Sequence, residues 1–482
     1  MCPVFPKNSA KQNRRNRFLI ASTIVLFLIL AYYSNSNSAI IEIYPSTADV
    51  SCNEEFENKA NALHSGDELV LHGGTYSQSC RRAITANGTA SNPIIISAAT
   101  GETPILTRPG SPNFDYPQNN IEIENSSYLI IRGIKFKGGD GGVRFKGTNH
   151  HITFEDNEIY ETGNNAISLN SGNSDSMIIR RNHIHHTGLY NLGSTEGEGM
   201  YVGCNNNSCR VTNSLIEGNY IHHLRGTSDG GNDGIEVKVG SYGNIIRNNV
   251  IHDTNIGRQY PCIFVYGGGS AVNIVEGNAV WNCGEGIQVV SDATVRNNII
   301  LNSSIAGITA ATHPQVAQMR NVTIVNNTIY GHPECLYIRW SGATNMVLAN
   351  NAFYCPGKTA VNASGLTGFS INLYCNYIEG SMSGASTDNV RFFAGGSAAS
   401  AFVNPLDLDF WPTPASILRN KANEAYIPSN DFNETPRTSP YDAGAYETEG
   451  LSTNPGWKIV PGFKQIGGDM RPPASPMNLR VE

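Results

Sequence analysis

A four-residue phrase recurs along this chain: asparagine, any residue, an aliphatic residue or Phe, and in most copies a polar or aromatic residue. The nine copies begin at Asn157, Asn182, Asn219, Asn249, Asn278, Asn298, Asn327, Asn351 and Asn376. Their spacings are 25, 37, 30, 29, 20, 29, 24 and 25 residues. A repeat of about 20–30 residues that tolerates insertions is typical of a solenoid.

The sequence around each phrase is that of short β-strands. Apolar, β-branched runs alternate with Gly, Asn and Asp, and almost nothing follows a helical period. The 49 glycines and the low share of charged residues, 15%, suit a turn-rich β protein. We therefore predict that each phrase marks one coil of a parallel β-helix. Because such a fold grows by adding coils, a length of 482 residues does not imply several domains.

Each predicted coil also carries a second strand, which follows a glycine. Examples are Met200-Tyr-Val-Gly, Ile235-Glu-Val-Lys and Ile263-Phe-Val-Tyr. Alternation places the first and third residues of these strands inward and the second and fourth outward. The recurring asparagines are expected to form an internal ladder of amide hydrogen bonds from coil to coil, which is a structural use.

The N-terminus places a basic stretch before an uncharged run at residues 18–33. This pattern is typical of a signal peptide or of an uncleaved membrane anchor, and both alternatives stay open. Either one places the body of the chain outside the cytoplasm, as a secreted, periplasmic or cell-surface protein. Contact with a membrane is expected only through this N-terminal segment.

Five segments follow from these patterns. Residues 1–39 are a cytoplasmic basic flank with a signal peptide or anchor, and residues 40–127 are an N-terminal cap with the first coils. Residues 128–384 are the regular coils with groove-forming loops, residues 385–450 the C-terminal coils and cap, and residues 451–482 an extended tail. In the cap, a short helix precedes strands at 69–71 and 94–96. Such a cap covers the core and strand edges that an end coil exposes.

Ten cysteines fit an oxidising compartment. The plausible local pairs are Cys52–Cys80, Cys204–Cys209, Cys262–Cys283 and Cys355–Cys375. This pairing leaves Cys335 without a partner. The net charge of −7 provides no basic field for nucleic acid. A local basic pocket can still bind an anionic polymer.

The coil pattern resembles the right-handed parallel β-helix superfamily of pectate lyases and related polysaccharide-active enzymes. The opening segment Gly66-Asp-Glu-Leu-Val-Leu-His-Gly-Gly-Thr-Tyr and the closing segment Ser439-Pro-Tyr-Asp-Ala-Gly-Ala-Tyr-Glu are similar to those of secreted bacterial members. The likeness covers residues 40–450. It implies an all-β, right-handed, single-stranded parallel β-helix, and it says less about activity because this fold hosts several chemistries.

The two widest spacings between phrases run from Asn182 to Asn219 and from Asn219 to Asn249, so long loops are expected on these adjacent coils. Such loops build the walls of a groove. Neighbouring coils lie about 4.8 Å apart, so outward residues stack in rows across them. One row holds Asn170, Gly203, Lys238 and Tyr266, the other holds Ser168, Tyr201, Glu236 and Phe264, and Glu196, Glu198 and Asp233 come just before the strands.

This cluster has the groups that a β-eliminating lyase requires: a cation at the uronate carboxylate, a base for the C5 proton and an acid for the leaving oxygen. Calcium binds oxygen ligands, and the candidates are Glu198, Asp233 and Glu236. The candidate base is Lys238. The candidate acids are Tyr201 and Tyr266, with His252 and Arg258 as alternatives.

The segment Asp233-Gly-Ile-Glu-Val-Lys-Val-Gly-Ser resembles the segment that carries calcium-ligating glutamates and a catalytic lysine in the chondroitinase B/alginate lyase family. The resemblance implies Glu236 as a calcium ligand and Lys238 as the base. That family has an arginine on the next coil, where this chain has Ile263-Phe-Val-Tyr-Gly. A simpler alternative is that Glu236 and Lys238 form a surface ion pair, worth under about 1 kcal/mol.

Two further groups are open to more than one interpretation. The pairs His185-His186, His222-His223 and His252-Asp253 occupy equivalent positions on successive coils and form either a side-chain ladder or a transition-metal site. Further along the face, Tyr337, Arg339 and Trp340 are either a substrate-binding subsite or an ordinary exposed strand.

These patterns predict a monomeric protein whose partner is an acidic polysaccharide and not a nucleic acid. The best-supported function is a Ca²⁺-assisted lyase that cleaves a uronic-acid-containing polysaccharide by β-elimination. The alternatives are a uronan C5-epimerase and a non-catalytic carbohydrate-binding or adhesion β-helix.

Overall fold

Parallel strands dominate the protein, which we describe from a computed structural model. The described residues are 38–46, 55–108, 118–189, 197–224, 231–254, 260–368, 370–448 and 450–466. Within them the strands form a 15-stranded sheet, a 23-stranded sheet and one separate pair. The predicted all-β, right-handed parallel β-helix is confirmed.

The first part of the chain builds the cap and the first coils. Helix α1 lies between the first two strands of the chain, and its buried Phe56 and Ala60 cover the apolar end of the β-helix core. The predicted short helix and both predicted strands are present. The elements are β1 (Ile40–Ile43), α1 (Glu55–Asn61), β2 (Glu68–Leu71), β3 (Gly74–Ser77), β4 (Ala83–Ile84), β5 (Ile94–Ala98), β6 (Pro104–Thr107) and β7 (Ile121–Glu124).

The regular coils follow without a helix in their described residues. Their strands are β8 (Ser127–Arg132), β9 (Lys135–Lys137), β10 (Val143–Lys146), β11 (Asn149–Glu155), β12 (Glu158–Tyr160), β13 (Ile167–Ser171), β14 (Ser174–Asp175), β15 (Ile178–Arg180), β16 (His183–His185), β17 (Met200–Val202), β18 (Val211–Thr212), β19 (Leu215–Glu217), β20 (Tyr220–His222), β21 (Ile235–Val237), β22 (Ile245–Arg247), β23 (Val250–His252), β24 (Pro261–Val265), β25 (Asn273–Glu276), β26 (Ala279–Trp281), β27 (Glu285–Val289), β28 (Ala293–Arg296), β29 (Ile299–Leu301), β30 (Ala306–Ala310), β31 (Arg320–Val325), β32 (Thr328–Tyr330), β33 (Glu334–Arg339), β34 (Thr344–Ala349), β35 (Ala352–Ser364), β36 (Ile371–Tyr374) and β37 (Asn376–Ser383).

Each coil contributes one strand to each of three rows. The first row is the 15-stranded sheet, which includes β15, β19, β22 and β25. The second row holds the phrase strands, such as β16, β20 and β23, and the third holds the strands that follow, such as β17, β21 and β24. The long strand β35 pairs with β32 of the second row and with β33 of the third. The 23-stranded sheet is therefore two faces of the coil joined at β35.

The phrase asparagines form a continuous internal ladder, as predicted. The side-chain amide of Asn219 donates to Asn249 Oδ1 at 2.9 Å, and the backbone N–H of Asn219 donates to the same oxygen at 2.9 Å. Asn249 repeats both bonds to Asn278. The same pair of bonds links every successive phrase asparagine from Asn157 to Asn376. Each buried turn is thus hydrogen-bonded to the next.

The cysteine pairing differs from the prediction at one coil. Cys204–Cys209 and Cys262–Cys283 are bonded as predicted, but Cys335 bonds to Cys355, so the predicted Cys355–Cys375 pair is wrong. The reason is the coil register, because both longer bonds join the second residue of a third-row strand to a residue four or five positions after the next phrase asparagine. Cys80 is also disulfide-bonded, while Cys52 lies outside the described residues.

The C-terminal part closes the far end of the coils. Its elements are β38 (Phe392–Ala394), α2 (Ala398–Ala401), β39 (Phe402–Asn404), β40 (Asp409–Pro412) and two short 3-10 helices, Pro405–Asp407 and Glu424–Tyr426. Beyond residue 450 the chain packs back on the body, burying Trp457, Ile459 and Lys464. The rest of the predicted tail at residues 451–482, from residue 467 onward, lies outside the described residues.

No helix in the described parts of the chain has the length and apolar character that a membrane crossing requires. The predicted signal or anchor at residues 18–33 lies outside the described residues.

Candidate functional site

The predicted register of the outward rows holds across the four coils from β13 to β24. Ser168 pairs with Tyr201, Tyr201 with Glu236, and Glu236 with Phe264. One residue after strand β21, Lys238 donates its backbone N–H to Val202 O. The third row of strands therefore gathers the predicted residues on one face of the helix.

Three carboxylates meet on this face and are called here the carboxylate trio: Glu198, Asp233 and Glu236. One oxygen from each lies within 4.8 Å of the others, and the side chains are buried, with 1%, 2% and 4% of their residues' surface exposed. Asp233 Oδ1 accepts no hydrogen bond from the described residues. The trio therefore concentrates negative charge where water is largely excluded.

Glycines allow this close approach. Glu198 and Asp233 each precede a glycine that opens a third-row strand. A Cβ on Gly234 would lie 2.4 Å from the carbonyl oxygen of Cys262 on the next coil, a distance that no side chain tolerates. The sequence acid-Gly-aliphatic thus fixes a carboxylate just before the strand, and stacked coils bring successive carboxylates together.

Lys238 lies beside the trio and between two tyrosine rings. Its Nζ forms an ion pair with Glu236 Oε1 and lies 4.4 Å from the ring centroid of Tyr201 and 5.0 Å from that of Tyr266. The hydroxyl of Tyr266 donates to the same oxygen of Glu236 at 3.1 Å. Lys238 and both tyrosines are about 5% exposed. One cation therefore faces three buried carboxylates, and the pair is buried rather than at the surface.

Burial and mutual repulsion set the ionisation of these groups. Burial, reinforced by the charge of Glu236, raises the pKa of Asp233 well above its usual range. Burial and the neighbouring carboxylates also raise the pKa of Tyr266, so its hydroxyl keeps its proton at neutral pH. A second positive charge would relieve the repulsion within the trio.

Two residues that the sequence interpretation missed extend the site. Glu285 is in register with Pro261 of the preceding coil, and burial raises its pKa to about 7. The charge of Glu285 also acts on Asp233. Glu285 belongs to the same acid-Gly-aliphatic pattern as Glu198, so the sequence does contain its signal.

His313 comes from the loop after strand β30 and folds back over the face. Its ring lies 4.7 Å from that of Tyr266 and 5.8 Å from that of Phe264, both edge-on. In the same loop, Gln315 Nε2 donates to Asn205 Oδ1 at 2.9 Å. This loop therefore crosses the coils that hold the trio. Burial and the charge of Lys238 lower the pKa of His313.

The remaining predicted residues do not join the cluster. His252 lies on second-row strand β23, where it contacts Tyr220, Asp253 and Trp281, so it occupies a different face of the coil. Arg258, like Glu196, lies outside the described residues. The equivalent position of the three histidine pairs on successive coils is confirmed.

The candidate subsite at strand β33 needs one correction. Tyr337 continues the outward row, and the guanidinium of Arg339 lies 3.9 Å from its ring centroid. Trp340 is 0% exposed and belongs to the hydrophobic core, so its predicted surface role is wrong. The reason is alternation, since the residue after an outward Arg339 points inward. Tyr337 is four coils from Glu236, or about 19 Å.

The chain belongs to the right-handed β-helix family. The profile of the family described as "Right handed beta helix region" matches residues 111–230 and 215–353, which together make up half of the chain. The predicted membership of the pectate lyase-like superfamily is confirmed.

Similarity to individual proteins is lower. Pectate lyase PEL9 of Emericella nidulans is 30% identical over 125 residues, which are 24% of this chain and 30% of that protein. The solved pectate lyase Pel9A is 16% identical, with a TM-score of 0.50 over 86% of this chain and 97% of its own. The complex of XylC with xylose is 11% identical, with a TM-score of 0.55 over 86% and 99%. At these identities the solved structures establish the fold alone.

Proposed function

We propose that this chain is an extracytoplasmic polysaccharide lyase that cleaves a uronic-acid-containing polymer by β-elimination with Ca²⁺. The observation that carries this proposal is the buried carboxylate trio beside Lys238 and Tyr266. Similarity to the pectate lyase PEL9 over 125 residues supports an acidic polysaccharide as the substrate. The disulfides support a location outside the cytoplasm.

The trio fits Ca²⁺ by donor type and by spacing. Calcium takes six to eight oxygen ligands at about 2.4 Å, so two oxygens on one ion are at most about 4.8 Å apart. The trio's oxygens meet this limit, and Asp233 Oδ1 is without a hydrogen bond from the described residues. When bound, the ion would neutralise the uronate carboxylate of the substrate and make its C5 proton more acidic.

The chain's own residues supply the proton transfers. Lys238 Nζ, in its neutral form, takes the C5 proton, and the electrons of the C5–H bond form a C4–C5 double bond as the C4–O bond breaks. The departing oxygen takes a proton from a tyrosine hydroxyl, for which Tyr266 is the better candidate because its raised pKa keeps it protonated. Tyr201, on the opposite side of Lys238, is the alternative acid.

The first experiment is a substrate panel of pectate, alginate and glycosaminoglycans, each assayed with Ca²⁺ and with EDTA. A lyase produces an unsaturated product that absorbs in the ultraviolet, and we expect this signal with Ca²⁺ only. Incorporation of solvent deuterium at C5 without chain cleavage would instead identify an epimerase. Binding without either reaction on any polymer would contradict the proposal and favour a carbohydrate-binding protein.

A further inference from the structure

A second cluster of ligating side chains lies on the second row of strands, away from the carboxylate trio. Strand β16 presents His183 and His185 on the same side, because residues two apart on a strand share a face. Glu158 of β12 is directly opposite His183 in the parallel register, and Tyr220 and His222 of β20 follow on the next coil. Three coils therefore bring a carboxylate and several imidazoles together.

The ligand atoms are spaced for a small divalent ion. His185 Nε2 lies 3.1 Å from Glu158 Oε1, and His183 Nδ1 lies 3.9 Å from the same oxygen. The three residues can each offer one atom within 4.8 Å of the others. Zinc binds nitrogen and carboxylate oxygen at about 2.0–2.1 Å in tetrahedral sites, which separates its ligand atoms by about 3.3 Å. Small side-chain adjustments would therefore complete the site.

The other ring nitrogen of each ligand histidine already has a hydrogen-bonding partner. His183 Nε2 lies 2.8 Å from His222 Nε2, and His185 Nδ1 lies 2.7 Å from His186 Nδ1. Each contact requires an N–H on one ring and a lone pair on the other. If the ligand rings donate, His183 Nδ1 and His185 Nε2 keep the lone pairs that a metal needs. Metal-binding histidines characteristically donate their second N–H in this way.

Glu158 presents one of its two carboxylate oxygens to the histidines. Lys135 Nζ contacts Glu158 Oε2 at 2.5 Å, which leaves Oε1 facing the imidazoles.

A neighbouring group, His223, His252 and Asp253, is the weaker candidate. His252 already uses both nitrogens, because Nδ1 contacts Asp253 Oδ2 at 2.7 Å and Nε2 contacts the Tyr220 hydroxyl at 3.1 Å. The His252 side chain is only 3% exposed, and its ring stacks on Trp281. By contrast, the side chains of Glu158, His183 and His185 are 23%, 30% and 14% exposed, so an ion can reach them.

We propose that Glu158, His183 and His185 bind a divalent transition-metal ion, with Zn²⁺ as the best-fitting ion, at a site separate from the carboxylate trio. The site joins two successive coils, so the bound ion stabilises the folded chain by an amount that grows with the logarithm of the ratio of ion concentration to Kd. It does not depend on the proposed lyase activity, because its ligands lie on a different face of the coil.

The test is calorimetric titration of Zn²⁺ into metal-stripped protein without an affinity tag, in excess Ca²⁺ so that the trio is saturated. We expect one ion per chain, and the visible ligand-field spectrum of Co²⁺ in the same site should show tetrahedral coordination. Glu158→Gln, which keeps the side-chain shape, and His185→Ala should each weaken binding at least about tenfold. Circular dichroism checks that each variant is folded.

Two control variants make the result specific. His151→Ala alters another adjacent pair, in which His150 Nδ1 lies 3.0 Å from His151 Nδ1, and should leave Zn²⁺ affinity unchanged. Asp253→Asn alters the weaker candidate group and should also leave it unchanged. Full affinity in Glu158→Gln, loss of affinity in Asp253→Asn, or weak binding of several equivalent ions by the wild type would each overturn the proposal.

Discussion

Tyr266 donates its hydroxyl hydrogen to Glu236 Oε1 over 3.1 Å, across two neighbouring coils. The same oxygen forms the ion pair with Lys238. One carboxylate oxygen thus positions both the candidate acid and the candidate base on one side of the trio. In this arrangement Glu236 has two roles: it is a candidate ligand for the cation and the residue that orients the proton-transfer groups.

Replacing Lys238 should remove most of the proposed activity. We expect Lys238→Ala to lower kcat at least about 100-fold, because general bases contribute factors of about 10²–10⁴. Lys146 is the matched control, since it lies at the end of a third-row strand and, like Lys238, pairs with a glutamate, Glu122, at 3.0 Å. Steady-state ultraviolet assays on the best substrate measure both variants. Equal activities for Lys238→Ala and Lys146→Ala would rule out Lys238 as the base.

Removing one charge of the trio should weaken calcium binding. Glu198→Gln keeps the shape of the side chain but deletes a buried negative charge, so we expect the Kd for Ca²⁺ to rise at least about tenfold. Calorimetric titration of Ca²⁺ into EDTA-treated protein measures this change. Glu334→Gln is the control, because Glu334, the first residue of strand β33, occupies the corresponding register position further along the helix. A Kd that is unchanged in Glu198→Gln would exclude this glutamate as a ligand.

The fold and the rows of the site were predictable because the asparagine phrase sets the register. Once Asn219 and Asn249 are known to be equivalent, alternation along a strand places Glu236 next to Tyr201. The same logic, applied fully, would have placed Trp340 inward and identified Glu285 as another acid before a glycine. These two errors came from applying the register incompletely, since the sequence contained the information.

Other features depend on contacts that no repeat encodes. His313 reaches Tyr266 because its loop folds back across the coils, and the direction of a loop is not specified by strand periodicity. The bond from Gln315 to Asn205 joins positions 110 residues apart. To predict the pairing of Cys335 with Cys355, one must know where strands end relative to each other on neighbouring coils. The sequence indicates this only when the pair is compared with the equivalent pair Cys262–Cys283.

The raised pKa of Glu285 predicts a pH dependence of stability. Its pKa in the folded protein is about 7 against an ordinary value of 4.5, so the folded state holds this proton more tightly than the unfolded state. The associated stability is complete below about pH 4.5 and is lost as the pH rises through about 7, with an upper limit of about 3 kcal/mol. Gln does not ionise, so the Glu285→Gln variant does not lose this stability as the pH rises. We therefore expect its Tm to exceed that of the wild type at about pH 8.

The comparison should be made in EDTA, so that no bound cation alters the charges around Glu285. At about pH 3.5 the two proteins should have nearly equal Tm, because the wild-type carboxyl is then protonated in both states. A Tm difference that is the same at both pH values would instead report packing and would refute the titration of Glu285 as its cause.

The asparagine ladder should contribute strongly to stability at its centre. Asn249→Ala removes the acceptor of two bonds from Asn219 and the donor to Asn278, and it leaves buried polar groups without partners. Each such group costs about 1–3 kcal/mol, so we expect a loss of at least about 3 kcal/mol in the free energy of unfolding. Denaturant unfolding followed by circular dichroism measures it. Asn372→Ala is the control, because Asn372 lies on strand β36 and is only half-buried, and it should change the free energy by about 0.5 kcal/mol or less. If both variants unfolded at the same denaturant concentration, the ladder would be a consequence of coil stacking and not a source of its stability.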